Sequence, residues 1–168
     1  MRSVVFFLVL AVSLNAYAQS IEELQSEIDT QVWKPFKKAF EHLDAKALNS
    51  IYADQVLRVT LAGIDTENAF RKKNIERFEE RRNEGIAIAL DFWFDSRNTN
   101  ANTSYEVGFY RIRFSSVGGK DNFVYGQFHI VLQKLNGVWK ITQDWDTTTL
   151  HGKAISAEDF KSKPIQRF

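Results

Sequence analysis

The amino-acid sequence predicts an α+β domain in which N-terminal helices lie over one face of a curved antiparallel sheet. Two periodicities and one turn carry that prediction. Between Ile21 and Leu43 apolar residues recur every three or four positions, beyond Gly85 they recur every second position, and Asn136-Gly137 separates two strand-like runs. The first spacing puts side chains on one stripe of a helix, and the second puts them on one face of a strand. A chain of 168 residues is long enough for one core, and with no cysteine it must hold that core by packing.

Arg2 precedes an apolar run from Val4 to Leu14, and Ala16-Tyr17-Ala18 presents the small-x-small pattern that a signal peptidase accepts. Residues 1–18 are therefore expected to be a signal peptide, 19–148 the domain and 149–168 a C-terminal tail. The apolar run falls short of the ~20 residues that span a bilayer, and Gln19 stands where a lipoprotein would carry cysteine. A secreted or periplasmic product with no membrane span is expected. Losing Arg2 leaves acidic and basic residues in balance, which gives nucleic acid or an anionic surface no long-range attraction. The mixed charges of the segment containing Arg71-Lys72-Lys73, Glu76 and Arg77 describe a solvated helix face instead.

In the mature chain, Ser20-Ile21-Glu22-Glu23 reads as a capping box that opens a helix. Ile21, Leu24, Ile28, Val32, Phe36, Phe40 and Leu43 form its buried stripe, widened by Trp33. Pro35 lacks a backbone donor, so a kink or break is expected near it. Asp44 caps a short helix to about Tyr52, and Val56 to Leu61 reads as a strand. A helix from about Glu67 to Asn83 closes at Gly85. Ile86 to Phe94, Tyr105 to Phe114, Phe123 to Leu135 and Val138 to Thr147 then read as four strands. They are separated by a polar loop at Arg97–Asn102, a turn at Gly118-Gly119 and a type I′ turn at Asn136-Gly137. That two-residue turn sets a register in which Leu132 faces Ile141, Ile130 faces Gln143 and Phe128 faces Trp145, all toward the core with Trp139. His129 and Asp144 then pair on the outer face.

Trp33-Lys34-Pro35-Phe36, Tyr52-Ala53-Asp54 with Val56, and Asn136-Gly137-Val138-Trp139-Lys140-Ile141 carry a wider likeness. Over residues 21 to 148 the chain resembles the nuclear transport factor 2-like superfamily, which includes SnoaL-like polyketide cyclases, ketosteroid isomerases and limonene epoxide hydrolases. The resemblance implies a cystatin-like, cone-shaped sheet with a pocket between it and the helices. It houses enzymes, binding modules and dimerising domains alike, so chemistry must be argued from the site.

The concave face is where that pocket is expected. Trp33, Tyr52, Tyr110, Phe128, Gln143 and Trp145 are the candidate ligand-binding residues, an apolar wall with a few polar groups suited to a small apolar or aromatic molecule. Glu106 shares a strand face with Tyr110, Ile112 and Phe114 and is the candidate acid or base, with Asp54 as a second. The sequence supports three readings. The leading one is an exported small-molecule-binding domain with no demonstrated catalysis. The second is a SnoaL-like isomerase, cyclase or hydratase that moves a proton and uses no cofactor, and the third is a purely associative module with a filled core. An epoxide-hydrolase set of Asp54, Arg58 and Asp144 fails in the expected register, because Asp144 points outward. His42, His129 and His151 lack metal-ligand spacing, so no metal is expected. Val107, Phe109, Arg111 and Arg113 form an outer sheet face suited to a homodimer.

Overall fold

The structure, a computed structural model, describes residues 19–162 and 164–167; the expected signal peptide lies outside them. The element order is α1 (Ile21–Ile28), a π-helical turn (Asp29–Trp33), α2 (Lys34–Glu41), α3 (Ala45–Ser50), β1 (Tyr52–Thr60), β2 (Gly63–Asp65), α4 (Ala69–Asn83), β3 (Ala87–Thr99), β4 (Thr103–Ser115), β5 (Asn122–Leu135), β6 (Val138–Thr147), β7 (Thr149–Leu150), β8 (Lys153–Ala154) and α5 (Ala157–Phe160). A six-stranded sheet runs in the order β2-β1-β6-β5-β4-β3, and β7 pairs with β8 separately. The fold is α+β, as the periodicities require.

Helix α1 opens on the capping box: the Glu23 amide donates to Ser20 Oγ at 3.1 Å, and the Ser20 amide donates to Glu23 Oε2 at 2.8 Å. Pro35 does not break the helix. It sits in the first turn of α2, and the backbone ahead of it widens into a π turn in which the Lys34 amide donates to Asp29 O. The wider turn absorbs the missing donor and ring volume, so helical backbone continues from Ile21 to Glu41. Ile28 and Val32 from this helix are fully buried with Leu132, Trp139 and Ile141 from the sheet. Helix α4 starts at Ala69 rather than Glu67. Asn68 is left-handed there, and the Asp65 carboxylate accepts from the amides of Glu67, Ala69 and Phe70.

The sheet departs from the expected pattern at three places. Strand β1 begins earlier, at Tyr52, and runs parallel to β6, so the sheet is mostly rather than wholly antiparallel. Strand β3 continues through Arg97–Thr99, with an irregularity between Phe94 and Ser96, which shortens the expected polar loop. The third departure lies in β6. Asn136 and Gly137 adopt the positive φ angles of the expected turn, and Leu132 pairs with Ile141. The next pair is Val131 with Gln143, so Thr142 is skipped. Such a β-bulge turns every following residue to the opposite face. Ile130 therefore faces Asp144, His129 faces Trp145 and Phe128 faces Asp146.

Two glycines let aromatic rings lie flat over the concave face. A Cβ on Gly126 would meet the Tyr110 ring at 2.2 Å, and one on Gly108 would meet the Phe128 ring at 2.5 Å. The tail follows the last strands: Trp93 Nε1 donates to Phe160 O at 2.6 Å, and the Gln166 amide donates to Phe92 O at 2.8 Å, occupying the free edge of β3. Gly126→Ala is expected to force the Tyr110 ring aside and to cost roughly 1–3 kcal/mol of stability. Urea denaturation reads this, and an unchanged midpoint would show that the ring has room to spare.

Candidate functional site

A cavity of about 120 Å³ opens between the helices and the concave face of the sheet. Trp33, Phe92 and Phe128 supply apolar walls, with Trp33 packed against Phe92 at 5.2 Å and Phe128 at 5.3 Å between ring centroids. The polar groups gather at one end: Tyr52 and Arg58 from β1, Asn74 and Arg77 from α4, Tyr110 from β4, and Asp144 and Asp146 from β6.

The two aspartates are one strand period apart, so once Thr142 has shifted the register both enter the same space. Their surroundings differ. Asp144 is buried, and its Oδ2 accepts from Tyr52 Oη at 2.8 Å and from Arg58 Nη1 at 2.5 Å. The backbone sets up that ion pair, because Arg58 is the residue opposite Asp144 in the parallel β1–β6 ladder. Asp146 receives much less. Arg58 Nη2 approaches only to 3.9 Å, and Tyr110 Oη donates at 3.3 Å.

The titration behaviour follows. Burial and then the neighbouring Asp144 charge push the Asp146 carboxyl above the ordinary aspartate range, against the partial relief that Arg58 gives. Burial, reinforced by Asp144 for Tyr52 and by Asp146 for Tyr110, raises both phenols, so both remain hydrogen-bond donors. Burial works against the Arg58 charge, but Asp144, Tyr52 and Asp146 together outweigh it and hold the guanidinium protonated. The arrangement is one carboxylate with good hydrogen-bond partners beside one whose pKa burial and its neighbour's charge raise.

Of the candidates read from sequence, Trp33, Tyr52, Tyr110 and Phe128 line this cavity. Gln143 and Trp145 do not. The bulge turns them to the outer face, where Trp145 meets His129 edge-on at 4.6 Å. His129 correspondingly bonds Tyr105 Oη at 2.6 Å rather than pairing with Asp144. Asp54 is exposed on β1 and contributes its carbonyl to Asn68, away from the cavity. Glu106 is fully buried but lies behind the wall. It accepts from Trp33 Nε1 at 2.6 Å, Ser104 Oγ at 3.0 Å and Arg97 Nε at 3.1 Å, and Arg97 also pairs with Asp29 at 2.7 Å. Burial raises its pKa, with Arg97 and Trp33 opposing. Its role is to fix the indole that forms the wall.

The Asp-Arg-Asp combination excluded by the expected register is thus present, built from Asp144, Arg58 and Asp146 rather than with Asp54. Sequence reasoning missed Asp146 altogether. The available signal was the Asp144-Trp145-Asp146 alternation, which places two acids on one face whichever face that is. Among the described residues no group of three or more His, Asp or Glu side chains is placed to hold a metal ion, and no helix is long and apolar enough to cross a membrane.

No protein-family model and no curated protein matches the chain. Solved structures do match. A conserved protein from Planctomyces limnophilus aligns with a TM-score of 0.63 at 17% identity, over 75% of this chain and 96% of that one. A nuclear transport factor 2-like protein of unknown function from Shewanella oneidensis aligns at 0.58 with 15% identity, over 74% and 98%. A ketosteroid isomerase-like protein from Erwinia carotovora atroseptica aligns at 0.56 with 14% identity, over 76% and 97%. The chain has the nuclear transport factor 2-like fold, and at these identities the likeness is one of fold.

Folding raises the Asp146 pKa, so the folded chain holds that proton more tightly than the unfolded one. The resulting stabilisation is complete below the unfolded value of about 4 and is lost as pH climbs through the folded value. Glu106 contributes with the same sign. Asp146→Asn is therefore expected to raise stability at neutral pH and to flatten, without abolishing, its decline from acid to neutral. Urea midpoints measured across that range test this, and a variant less stable at neutral pH would contradict it.

Proposed function

We propose that the protein binds a small apolar or aromatic molecule in the cavity and catalyses a proton transfer on it, as a SnoaL-like isomerase, cyclase or hydratase would. The observation that carries this reading is the unequal aspartate pair: Asp146 faces an apolar cavity with a raised pKa while Asp144 is tied to Arg58 and Tyr52. Asp146 in its charged form removes a proton from carbon next to a carbonyl, leaving an enolate, and in its neutral form returns it to that carbon or, where the enolate is conjugated with a double bond, to the far carbon of the conjugated system. A base whose pKa approaches the working pH does both efficiently. The Tyr110 hydroxyl, within reach of Asp146, donates to the oxygen on which charge develops. A site that only bound a neutral ligand would gain nothing from crowding a second carboxylate beside Asp144, where the two charges repel. Glu106 and Asp54 take no part in this chemistry.

The test is solvent deuterium exchange into a panel of small enolisable ketones, followed by proton NMR. Exchange is expected to rise with pH as Asp146 loses its proton. Asp146→Asn should lower it by roughly 10²–10⁴-fold, and Asp54→Asn should leave it unchanged. Exchange that ignores Asp146→Asn would sink the catalytic reading.

The protein is further proposed to be exported, on the strength of the leader pattern in residues 1–18, and to form a homodimer through the outer sheet face. That face is divided. The tail covers the β3–β4 part, where Phe160 packs near Tyr125 and Arg111, and Arg111 pairs with Asp91. Tyr105, His129 and Trp145 remain as an aromatic group beyond it, with Tyr105 38% exposed. An aromatic group of this kind at the open half suits a second copy. Protein recovered after expression with its leader is expected to begin at Gln19 and to sediment as a dimer, with Trp145→Glu shifting it to monomer; a monomeric wild type would dismiss the dimer.

A further inference from the structure

The polar end of the cavity does not stop at the aspartates. Arg58, Asn74 and Arg77 line both the cavity and a second cleft of about 350 Å³ between the β1–β2 hairpin and α4. The two spaces meet at these three residues. Lys73 lines the outer cleft, and its one acidic lining residue, Asp65, has its carboxylate occupied by three backbone amides. The route to Asp146 is therefore flanked by positive charge.

Two arginines stand at this junction. Arg58 has a carboxylate at 2.5 Å. Among the described residues Arg77 has none within 4.0 Å. Its Nη2 donates to Asn74 Oδ1 at 3.1 Å, and its guanidinium carbon lies 5.8 Å from the Phe40 ring centroid and 5.5 Å from that of Phe78. The rings and the neutral amide steer the group without neutralising it. Burial and the nearby Arg58 charge press its pKa downward, and the Asp146 charge across the cavity opposes them only in part. The glutamates of α4, Glu76, Glu79 and Glu80, share only the shallow outer surface with it. A guanidinium that offers several N–H donors in a fixed plane, set at the junction of two spaces and short of an anion, is a receptor for a planar carboxylate.

We infer that the substrate is a small carboxylic acid with a short apolar or single-ring body, its carboxylate held by Arg77 at the junction and its body in the cavity between Trp33, Phe92 and Phe128. This rests on the reading of the cavity as the substrate site. Size agrees with it: an apolar cavity of about 150 Å³ holds benzene, so a space of about 120 Å³ suits a short chain or a single small ring. Charge agrees as well. Binding the anion at Arg77 gives it a counter-charge that Arg58, committed to Asp144, does not supply.

The experiment titrates three probes into the protein by NMR: phenylacetate and phenylacetamide, which share a shape, and the smaller cationic amine benzylamine. Phenylacetate is expected to bind at least about tenfold more tightly than the amide and to weaken as salt is added, with the amine weakest. Arg77→Gln should remove that preference, weakening phenylacetate by about tenfold while leaving phenylacetamide within about twofold. Arg77→Lys, which keeps the charge but loses the fork, should fall between, and it serves if the glutamine variant does not fold. Equal binding of the three probes, an Arg77→Gln variant that retains the preference, or no binding at millimolar concentration would each overturn the inference. The catalytic reading fails separately: loss of any Asp146 effect on deuterium exchange would remove the proton transfer and leave the carboxylate preference standing.

Discussion

One residue of β6, Thr142, decides what the interior of this protein can do. A sheet has a side-chain period of two, so a single skipped residue exchanges everything beyond it between faces. In the register that the Asn136-Gly137 turn would impose along the whole hairpin, the cavity would receive Gln143 and Trp145, a neutral amide and an indole. With Thr142 skipped it receives Asp144 and Asp146 instead. A second irregularity, on β1 between Tyr52 and Leu57, brings Arg58 opposite Asp144 in the parallel ladder. Acid pair and counter-charge are thus delivered by two backbone irregularities, one in each ladder of β6.

The charge balance that follows is uneven by construction. Two carboxylates share one paired arginine in surroundings of low dielectric constant, and the second ionisation must work against the first. Arg58 is committed to Asp144 at 2.5 Å and reaches Asp146 only at 3.9 Å. Tyr52 spends its hydroxyl on Asp144 as well. Asp146 is left with the cavity, a long contact to Tyr110 and the influence of Arg77 across the space. With the good partners given to one acid, burial and its neighbour's charge act on the other and raise the Asp146 pKa.

The legible parts of the sequence are those written in local chemistry. Ser20 and Glu23 specify their own cap, the Asn136-Gly137 pair specifies its own turn, and the alternation from Ile88 to Phe92 specifies a strand with one buried face. These need no knowledge of the rest of the chain. The Thr142 bulge does. Threonine is an ordinary strand residue, and nothing between Ile141 and Gln143 marks an interruption. What makes the shifted register favourable is distant: Arg58 waits on β1 for an anion, and Gly126 and Gly108 open room for Tyr110 and Phe128 on neighbouring strands. The same limit explains Pro35. Its effect on the local backbone was readable, but whether the helix would break or widen depended on Trp33 having a buried position to keep.

Glu106 shows why burial of an acid is not by itself a sign of chemistry. It is more deeply buried than Asp146, and burial raises its pKa too. The difference lies in the number and rigidity of its partners. Trp33, Ser104 and Arg97 converge on its two oxygens, and Arg97 is shared with Asp29 in the π turn. A proton arriving there would have to displace a charge-assisted bond, and no substrate could reach it because the indole it holds is the cavity wall. That network joins the widened turn of the first helix to β3 and β4, and so sets the position of Trp33 relative to Phe92 and Phe128. Removing one member of such a network leaves the others buried and unpaired. The fold therefore uses two buried acids in opposite ways: Glu106 is saturated with partners to make the wall immobile, and Asp146 is deprived of them to keep its proton available.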